Sequence, residues 1–352
     1  MSRPTTQLLR LVLSALHYSG AGSMMAPLTR GIGAILVLRH VRPEPPKGFE
    51  PNRFSKITPQ FLEAALAQVQ ELGFDVISLD EAHFRLIEGE FRDPFVCFTF
   101  DDGYRDTLDY AYPIFRRHGL PFAVHVPTDF PDGRGDLWWL ALEKVILNVP
   151  HLEAKIDGGL RRLSCATPAE KDGAYRRLYR WLRSIDEVDA RAFVRELCAK
   201  AALDCSRLCA DSTMTWPQIR RLATDPLVTI GAHTRRHYAL AKLTFAEAHA
   251  EMEESVRRIE RETGKPCRHF SYPYGDAESA GPREFAIARE LGLKTALTGR
   301  KGLLHARHAG ASTALPSIAL SGDYQKPRYV KLLLSGAPLA FSKLMHGEAG
   351  PA

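Results

Sequence analysis

The 352-residue sequence has no run of about 18 consecutive apolar residues, so no stretch of it reads as a membrane-spanning helix. Its six cysteines (Cys97, Cys165, Cys198, Cys205, Cys209 and Cys267) are scattered, and the nearest pair, Cys205 and Cys209, has no second pair at zinc-site spacing. A disulfide framework does not suit a chain of this size, and reduced thiols are the reading. Internal repeats and low-complexity segments are absent. Acidic residues are missing from positions 1–43, which carry Arg3, Arg10, Arg30, Arg39 and Arg42. The remainder then holds 42 Lys+Arg against 41 Asp+Glu, so most of the net charge of +6 belongs to the N-terminal arm. A basic body able to track a phosphate backbone is lacking, which excludes a nucleic-acid partner.

What is present is the composition of a soluble globular protein, 45% hydrophobic and 25% charged, long enough for one large α/β barrel or two ordinary domains. In the arm, residues 1–33, Leu9, Val12, Leu13 and Leu16 share a helical face, with Arg10, Ser14 and His17 opposite. Docking of this amphipathic helix on the body is the first reading, and peripheral attachment to an anionic membrane the second. A cleaved signal is the third: His17 and Tyr18 interrupt the apolar run, although Ala21-Gly22-Ser23 and Ala26 are small enough for cleavage.

The hydrophobic pattern alternates strand and helix. Strands are expected at Ala34–Leu38, Phe74–Leu79, Phe95–Phe100, Phe122–Val126, Leu227–Ile230, His269–Tyr272 and Lys294–Thr298. Helices are expected between them, the longest over Thr244–Thr263, with a last one at Tyr329–Leu344 before a Gly-rich tail. Seven strands alternating with helices imply a parallel α/β barrel, over 34–126 and 212–320. The rhythm breaks over 127–211, too long for a βα loop, and this segment is expected to be a helical insertion over one end of the barrel. Residues 321–352 form a C-terminal helix and tail.

In such a barrel the reactive groups stand where strands end. The strand Phe95–Phe100 runs straight into Asp101-Asp102-Gly103. Two adjacent carboxylates at a buried edge repel unless a cation or a division of labour separates them, one binding metal and the other moving protons. A second strand end carries His233-Thr234-Arg235-Arg236-His237, two imidazoles at the spacing by which one helical face offers two nitrogens to a metal. A third carries Phe270-Ser271-Tyr272-Pro273-Tyr274-Gly275-Asp276, a tight turn whose backbone N–H groups can serve an oxyanion. Singly, each has an ordinary structural explanation, as turn cap, surface histidine or loop. Together they supply two neutral nitrogens, an oxygen ligand, a spare base and an oxyanion donor, the inventory of metal-assisted amide or ester hydrolysis.

These three motifs, in this order, resemble those of the polysaccharide deacetylases, the carbohydrate esterase family 4 or nodulation-protein-B-like group. The resemblance covers the barrel and implies a distorted (β/α)7-8 barrel fold that removes N-acetyl, less often O-acetyl, groups from sugar polymers. By the same resemblance Asp102, His233 and His237 would hold a divalent metal, usually zinc, with cobalt or another transition metal able to substitute. Asp101 would be the base, and the Tyr274 backbone N–H would help hold the oxyanion. Ser271 stands where many members have Arg, so Arg268 or Arg300 would have to orient the base. Arg39 stands where many relatives have His, with His40 beside it as an open replacement. No clean match exists for the late motif that supplies the general acid, for which His305 and His308 are the candidates.

Trp138 and Trp139, in the insertion, could stack on sugar rings or pack its helices, and one of each is expected. Tyr272 and Pro273 are taken as further substrate contacts. The expected protein is thus a metal-dependent deacetylase of an amino-sugar oligo- or polysaccharide, in the cytoplasm or peripheral to the inner membrane. Hydrolysis of a non-sugar amide and silent saccharide binding are the rival readings.

Overall fold

In the computed structural model the described residues are 10–11, 13–16, 18–43 and 48–345. Of the amphipathic arm, Leu9, Val12 and His17 fall outside them, as does the tail after 345.

Seven parallel strands close into a barrel: β1 (Gly33–Leu38), β2 (Phe95–Phe100), β3 (Phe122–Val126), β4 (Val228–Ala232), β5 (His269–Ser271), β6 (Thr295–Lys301) and β7 (Leu315–Ala319). Around the ring the order is β1-β7-β6-β5-β4-β3-β2, and β2 closes back on β1 with Gly33–Leu38 opposite Phe95–Phe100 residue by residue. All residues of β1, β2 and β3 are buried, as a parallel sheet covered on both faces requires. Alternate residues face opposite sides. Ala34, Leu36, Leu38, Val96, Phe98 and Phe100 pack with outer helices such as Pro59–Glu71. Ile35, Val37, Phe95, Cys97, Ala123 and Leu297 form a second cluster inside the ring, where Leu79, Ala82 and Leu86 of helix Leu79–Glu88 join it. Asp101 and His125 continue this inward parity, which brings them together at the carboxyl end of the barrel.

The seventh strand is not the one expected. Phe74–Leu79 contributes only Asp75–Val76, an edge pair beside Phe95 and Val96 outside the closed ring. Its place is taken by β7, masked in the sequence by Pro316 at its second position. The C-terminal helix is divided by Gly336, in a left-handed conformation (φ 73°), into Pro327–Ser335 and Ala337–Met345. Helix Phe245–Thr263 begins at a capping box between Thr244 and Glu247 and stops at left-handed Gly264.

The insertion is not wholly helical. Between helices Trp138–Asn148 and Pro168–Ser184 a hairpin pairs His151–Ile156 with Gly159–Ser164. Leu152, Ala154 and Ile156 point into the insertion's own apolar cluster, and Asp157-Gly158, both at positive φ, make the turn. An Asp-Gly pair between alternating segments is a hairpin signal that the Arg- and Leu-rich flanks obscured. Helix Glu187–Lys200 completes the layer. Among the described residues no helix is long and apolar enough to cross a membrane.

Candidate active site

Asp102 follows β2 with φ 70°, and β4 leads into the segment 233–237, which is an irregular loop rather than the expected helical turn. Thr234 (φ 62°) and His237 (φ 59°) are left-handed, and this reverses the chain so that both imidazoles face Asp102. Among the described residues, four of the six non-glycine residues at positive φ, counting Asp102 and Tyr274, sit at this one place, where strain is tolerated because surrounding contacts fix it. Those contacts are visible. The Thr234 hydroxyl accepts from the His237 N–H (2.9 Å), and buried Glu251 accepts from the backbone N–H groups of Arg235 and Arg236.

Asp102 Oδ1 lies 3.1 Å from His237 Nε2 and 3.6 Å from His233 Nε2. The three side chains are buried, with ligand atoms all within 4.8 Å of one another. His233 Nδ1 is 2.5 Å from the Ser271 carbonyl oxygen, which can only accept, so Nδ1 carries the hydrogen and Nε2 presents a lone pair. That nitrogen and Asp102 Oδ1 are sealed from water with no hydrogen-bond partner. A lone pair facing a carboxylate oxygen in a dry site is the arrangement a divalent cation would satisfy, so the residues fit a metal site. Burial opposes the charge on Asp102, but His237, His233 and Arg39 outweigh it and hold the carboxyl well below its ordinary range.

Asp101 is also buried, and its Oδ1 faces His125 Nδ1 at 3.3 Å. Burial again opposes ionisation, and His233, His125 and Arg39 overcome it, so Asp101 is a carboxylate at neutral pH that does not belong to the metal cluster. Neither arginine expected to orient it does so. Arg268 lies 3.6 Å from Asp80, and Arg300 donates to the Ala280 carbonyl and covers the Phe285 ring. His125 inside the barrel and Arg39 at its rim, 3.5 Å from Asp102 Oδ2, occupy that environment instead.

A cleft of about 260 Å³ opens over Asp102, His237 and Tyr274, walled by Arg39, His40 and Trp139. The insertion closes it with Tyr179 and Arg183, whose guanidinium carbon stands 3.6 Å over the Tyr274 ring. Trp138 is buried and donates to the Tyr274 hydroxyl (3.0 Å), whereas Trp139 is partly exposed, 5.0 Å from the His237 ring. Tyr274 is left-handed (φ 63°), and no hydrogen bond among the described residues takes its backbone N–H.

Other expected residues are elsewhere. Tyr272 is 2% exposed, its hydroxyl donates to the Thr313 carbonyl, and its ring packs on Phe270 and Phe285, which makes it core. Pro273 is buried in the turn, its carbonyl accepting from Gly275 N–H. His305 and His308 are far from the cluster. Leu304 bridges Gly33, the first residue of β1, so both emerge at the amino end of the barrel, roughly 17 Å of strand away from the end that carries Asp101. Their contact is mutual, His308 Nδ1 accepting from the His305 N–H.

The histidine outside the cluster that does line the cleft is His40. Its Nδ1 is 2.7 Å from Asp106 Oδ2, its ring stacks on Tyr104 (3.7 Å between centroids), and Arg42 also donates to Asp106. With Nδ1 taken, Nε2 is the nitrogen left for a ligand. Burial lowers the His40 pKa, against the pull of Asp106. Its signal was its position at the end of the first strand, on the same rim as Asp101.

The carboxyl end of a closed parallel barrel thus carries an Asp-His-His cluster beside a separate carboxylate. The family model described as polysaccharide deacetylase matches residues 173–296, which take in His233, His237 and the Pro273-Tyr274 turn. Solved structures of similar fold include Streptococcus pyogenes deacetylase PplD in complex with acetate, at 15% identity over 82% of this chain and 92% of that one, TM-score 0.54. They also include IcaB from Ammonifex degensii (16%, 86% and 97%, 0.51) and a de-N-acetylase from Aggregatibacter actinomycetemcomitans (14%, 85% and 99%, 0.52). At these identities the likeness to the solved structures is one of fold. No curated protein matches the sequence. Family model and motifs point the same way: over residues 173–296 this chain is similar to the polysaccharide deacetylases.

Proposed function

We propose that this chain is a metal-dependent hydrolase that removes N-acetyl groups from an amino-sugar oligo- or polysaccharide. The observation that carries the reading is the buried, ionised Asp101, adjacent in sequence to the cluster residue Asp102 but outside the cluster. Saccharide binding alone has no use for such a group. Asp102, His233 and His237 would hold the cation, zinc by the N2O donor set or another transition metal, and it would supply Lewis acidity to the acetyl carbonyl. Asp101 takes the proton of the attacking water, its charge sustained by His125 and Arg39. The Tyr274 N–H donates to the developing oxyanion. His40, entering as the imidazolium with its Nδ1–H held by Asp106, would give its Nε2 proton to the leaving nitrogen and be recharged by the proton that Asp101 took from water. A sugar ring would rest against Trp139 at the cleft wall.

The test is metal content by elemental analysis alongside acetate release from acetylated chito-oligosaccharides, for wild type, His233→Ala and Asp101→Asn. The expectation is one metal per chain with acetate released, loss of both in His233→Ala, and retained metal with activity down by about 10²–10⁴-fold in Asp101→Asn. Unchanged hydrolysis in Asp101→Asn would refute the assignment of the base, and no metal in metal-replete wild type would remove the mechanism.

A further inference from the structure

The two ends of the chain take no part in the cleft, yet they meet. Arg10 donates to the Asp323 carbonyl, Ser14 Oγ is 3.4 Å from the Tyr329 hydroxyl, and Thr29 Oγ1 donates to the Ser335 carbonyl. Helix Ala21–Thr29 packs on Pro327–Ser335 so closely that a Cβ at Gly22 would stand 2.6 Å from Leu332. The arm is thus docked on the body, with its inner face partly buried.

Its outer face is not polar. Leu28 is 91% exposed, Met24 81%, Tyr18 74% and Leu11 69%, four of the five most exposed large apolar side chains of the described residues. Leu11 and Tyr18 are seven residues apart and Met24 and Leu28 four, so each pair shares a helical face. Phe341, on the helix Ala337–Met345 that packs against the same arm, adds a fifth exposed group.

The same two ends hold the charge. Residues 10–32 and 324–341 contain Arg10, Arg30, Lys326, Arg328 and Lys331 and no Asp or Glu, whereas Lys+Arg and Asp+Glu balance over 33–323. Segments some three hundred residues apart in sequence are brought together into one patch that is cationic and apolar at once.

We propose that this patch is a platform for the surface of an anionic phospholipid bilayer, with Leu11, Tyr18, Met24, Leu28 and Phe341 entering the headgroup boundary and the basic side chains facing lipid phosphates. Charge complementarity selects this occupant. A second copy would bring an equally cationic face against the first, and a nucleic acid would leave the apolar side chains unused. The helix Pro327–Ser335 starts beside Asp323, which pairs with Arg53, and ends at Gly336 against Thr29 near the amino end of the barrel. The platform therefore runs lengthwise along the barrel, and the cleft would open along the membrane plane rather than into it.

Flotation of the full chain with phosphatidylcholine vesicles, alone or mixed with phosphatidylglycerol, tests this. The expected result is binding to the mixed vesicles only, weakened by salt, and reduced about tenfold or more in the Met24→Glu/Leu28→Glu double variant. Lys326→Glu alone should reduce it to a smaller extent. Circular dichroism and solution acetate release should match wild type in both, since these side chains lie at the surface away from the cleft. Failure to bind mixed vesicles, equal binding to both vesicle types, or a solution dimer abolished by Leu28→Glu would overturn the proposal.

Discussion

Arg191, from the insertion, donates an Nη2–H to the backbone carbonyl of His237 at 3.1 Å. Its other amino group is bound to Glu187, through Oε2 at 2.6 Å and the carbonyl at 2.9 Å, and all of this is buried. His237 is left-handed, so something must hold its backbone, and the insertion does so from outside the barrel. The consequence is that the cluster depends on a residue that touches only its backbone, not its ligand atoms.

Replacing Arg191 with Lys keeps the charge but loses the fork that spans Glu187 and His237. Metal affinity should fall by about 10–100-fold, as for other groups that orient a ligand from behind, with the fold retained. Arg191→Met leaves Glu187 buried with Lys242 (3.2 Å) as its remaining partner and should cost about 3–5 kcal/mol. Competition with a chelating dye and urea denaturation separate the two effects. An Arg191→Lys variant that binds metal as wild type would show that Thr234 and Glu251 suffice to shape the loop.

The assignment of the acid separates His40 from His305 and His308. His40→Gln should lower kcat by about 10²–10⁴-fold with metal content unchanged, and Asp106→Asn should lower it less, because the ring loses its anchor but not its nitrogen. His305→Ala and His308→Ala should leave kcat and KM alone, being at the other end of the barrel. Substrates with better leaving groups than an amine should be less sensitive to His40→Gln, a signature that a merely structural role would not give.

The strand ends and the chemistry they carry were legible in the sequence, because a buried apolar run that stops at two carboxylates has few explanations. The family resemblance of the motifs also implied that Asp102, His233 and His237 stand together, as they do. The loop geometry was not legible: helical spacing suggested that 233–237 is a turn of helix, and nothing in Thr234 or His237 announces a positive φ. Chain order misled in the case of His305 and His308. They follow β6 by only a few residues, but the chain doubles back so that Leu304 meets Gly33. Between the adjacent Arg39 and His40 the sequence left the choice open, and the fold resolves it: the Arg39 side chain reaches Asp102, while His40 lines the cleft.

His308 offers a test of that placement through stability. Burial, with help from Arg307 and His305, pulls its imidazole from the ordinary 6.5 down to about 4. The unfolded chain therefore binds a proton that the folded one refuses between these values, so stability rises with pH across the window and is lost as pH falls through it. The group is partly exposed, so the contribution is modest. His308→Gln, which can still accept from the His305 N–H, should flatten the dependence of Tm on pH between 6.5 and 4; parallel curves would place the histidine in solvent.

Trp138 and Trp139 are neighbours in sequence with opposite surroundings, and their replacements should fail in different ways. Trp138 is 3% exposed, packs 5.0 Å from the Tyr179 ring and donates to the Tyr274 hydroxyl. Its truncation to Ala empties the junction between insertion and turn and should cost about 3–5 kcal/mol. Trp139 is anchored at one edge by its indole N–H on the Tyr104 hydroxyl (3.1 Å) and shows the rest of its surface to the cleft. Trp139→Ala should raise KM for oligosaccharides about tenfold, corresponding to about 1.4 kcal/mol of lost ring contact, while kcat holds, because a sugar stacked there is bound alike before and during reaction. Trp139→Phe, which keeps a flat apolar face without the indole N–H, should recover most of that loss. Equal KM values for wild type and Trp139→Ala on chains of several sugar units would mean that the polymer takes another path across the insertion.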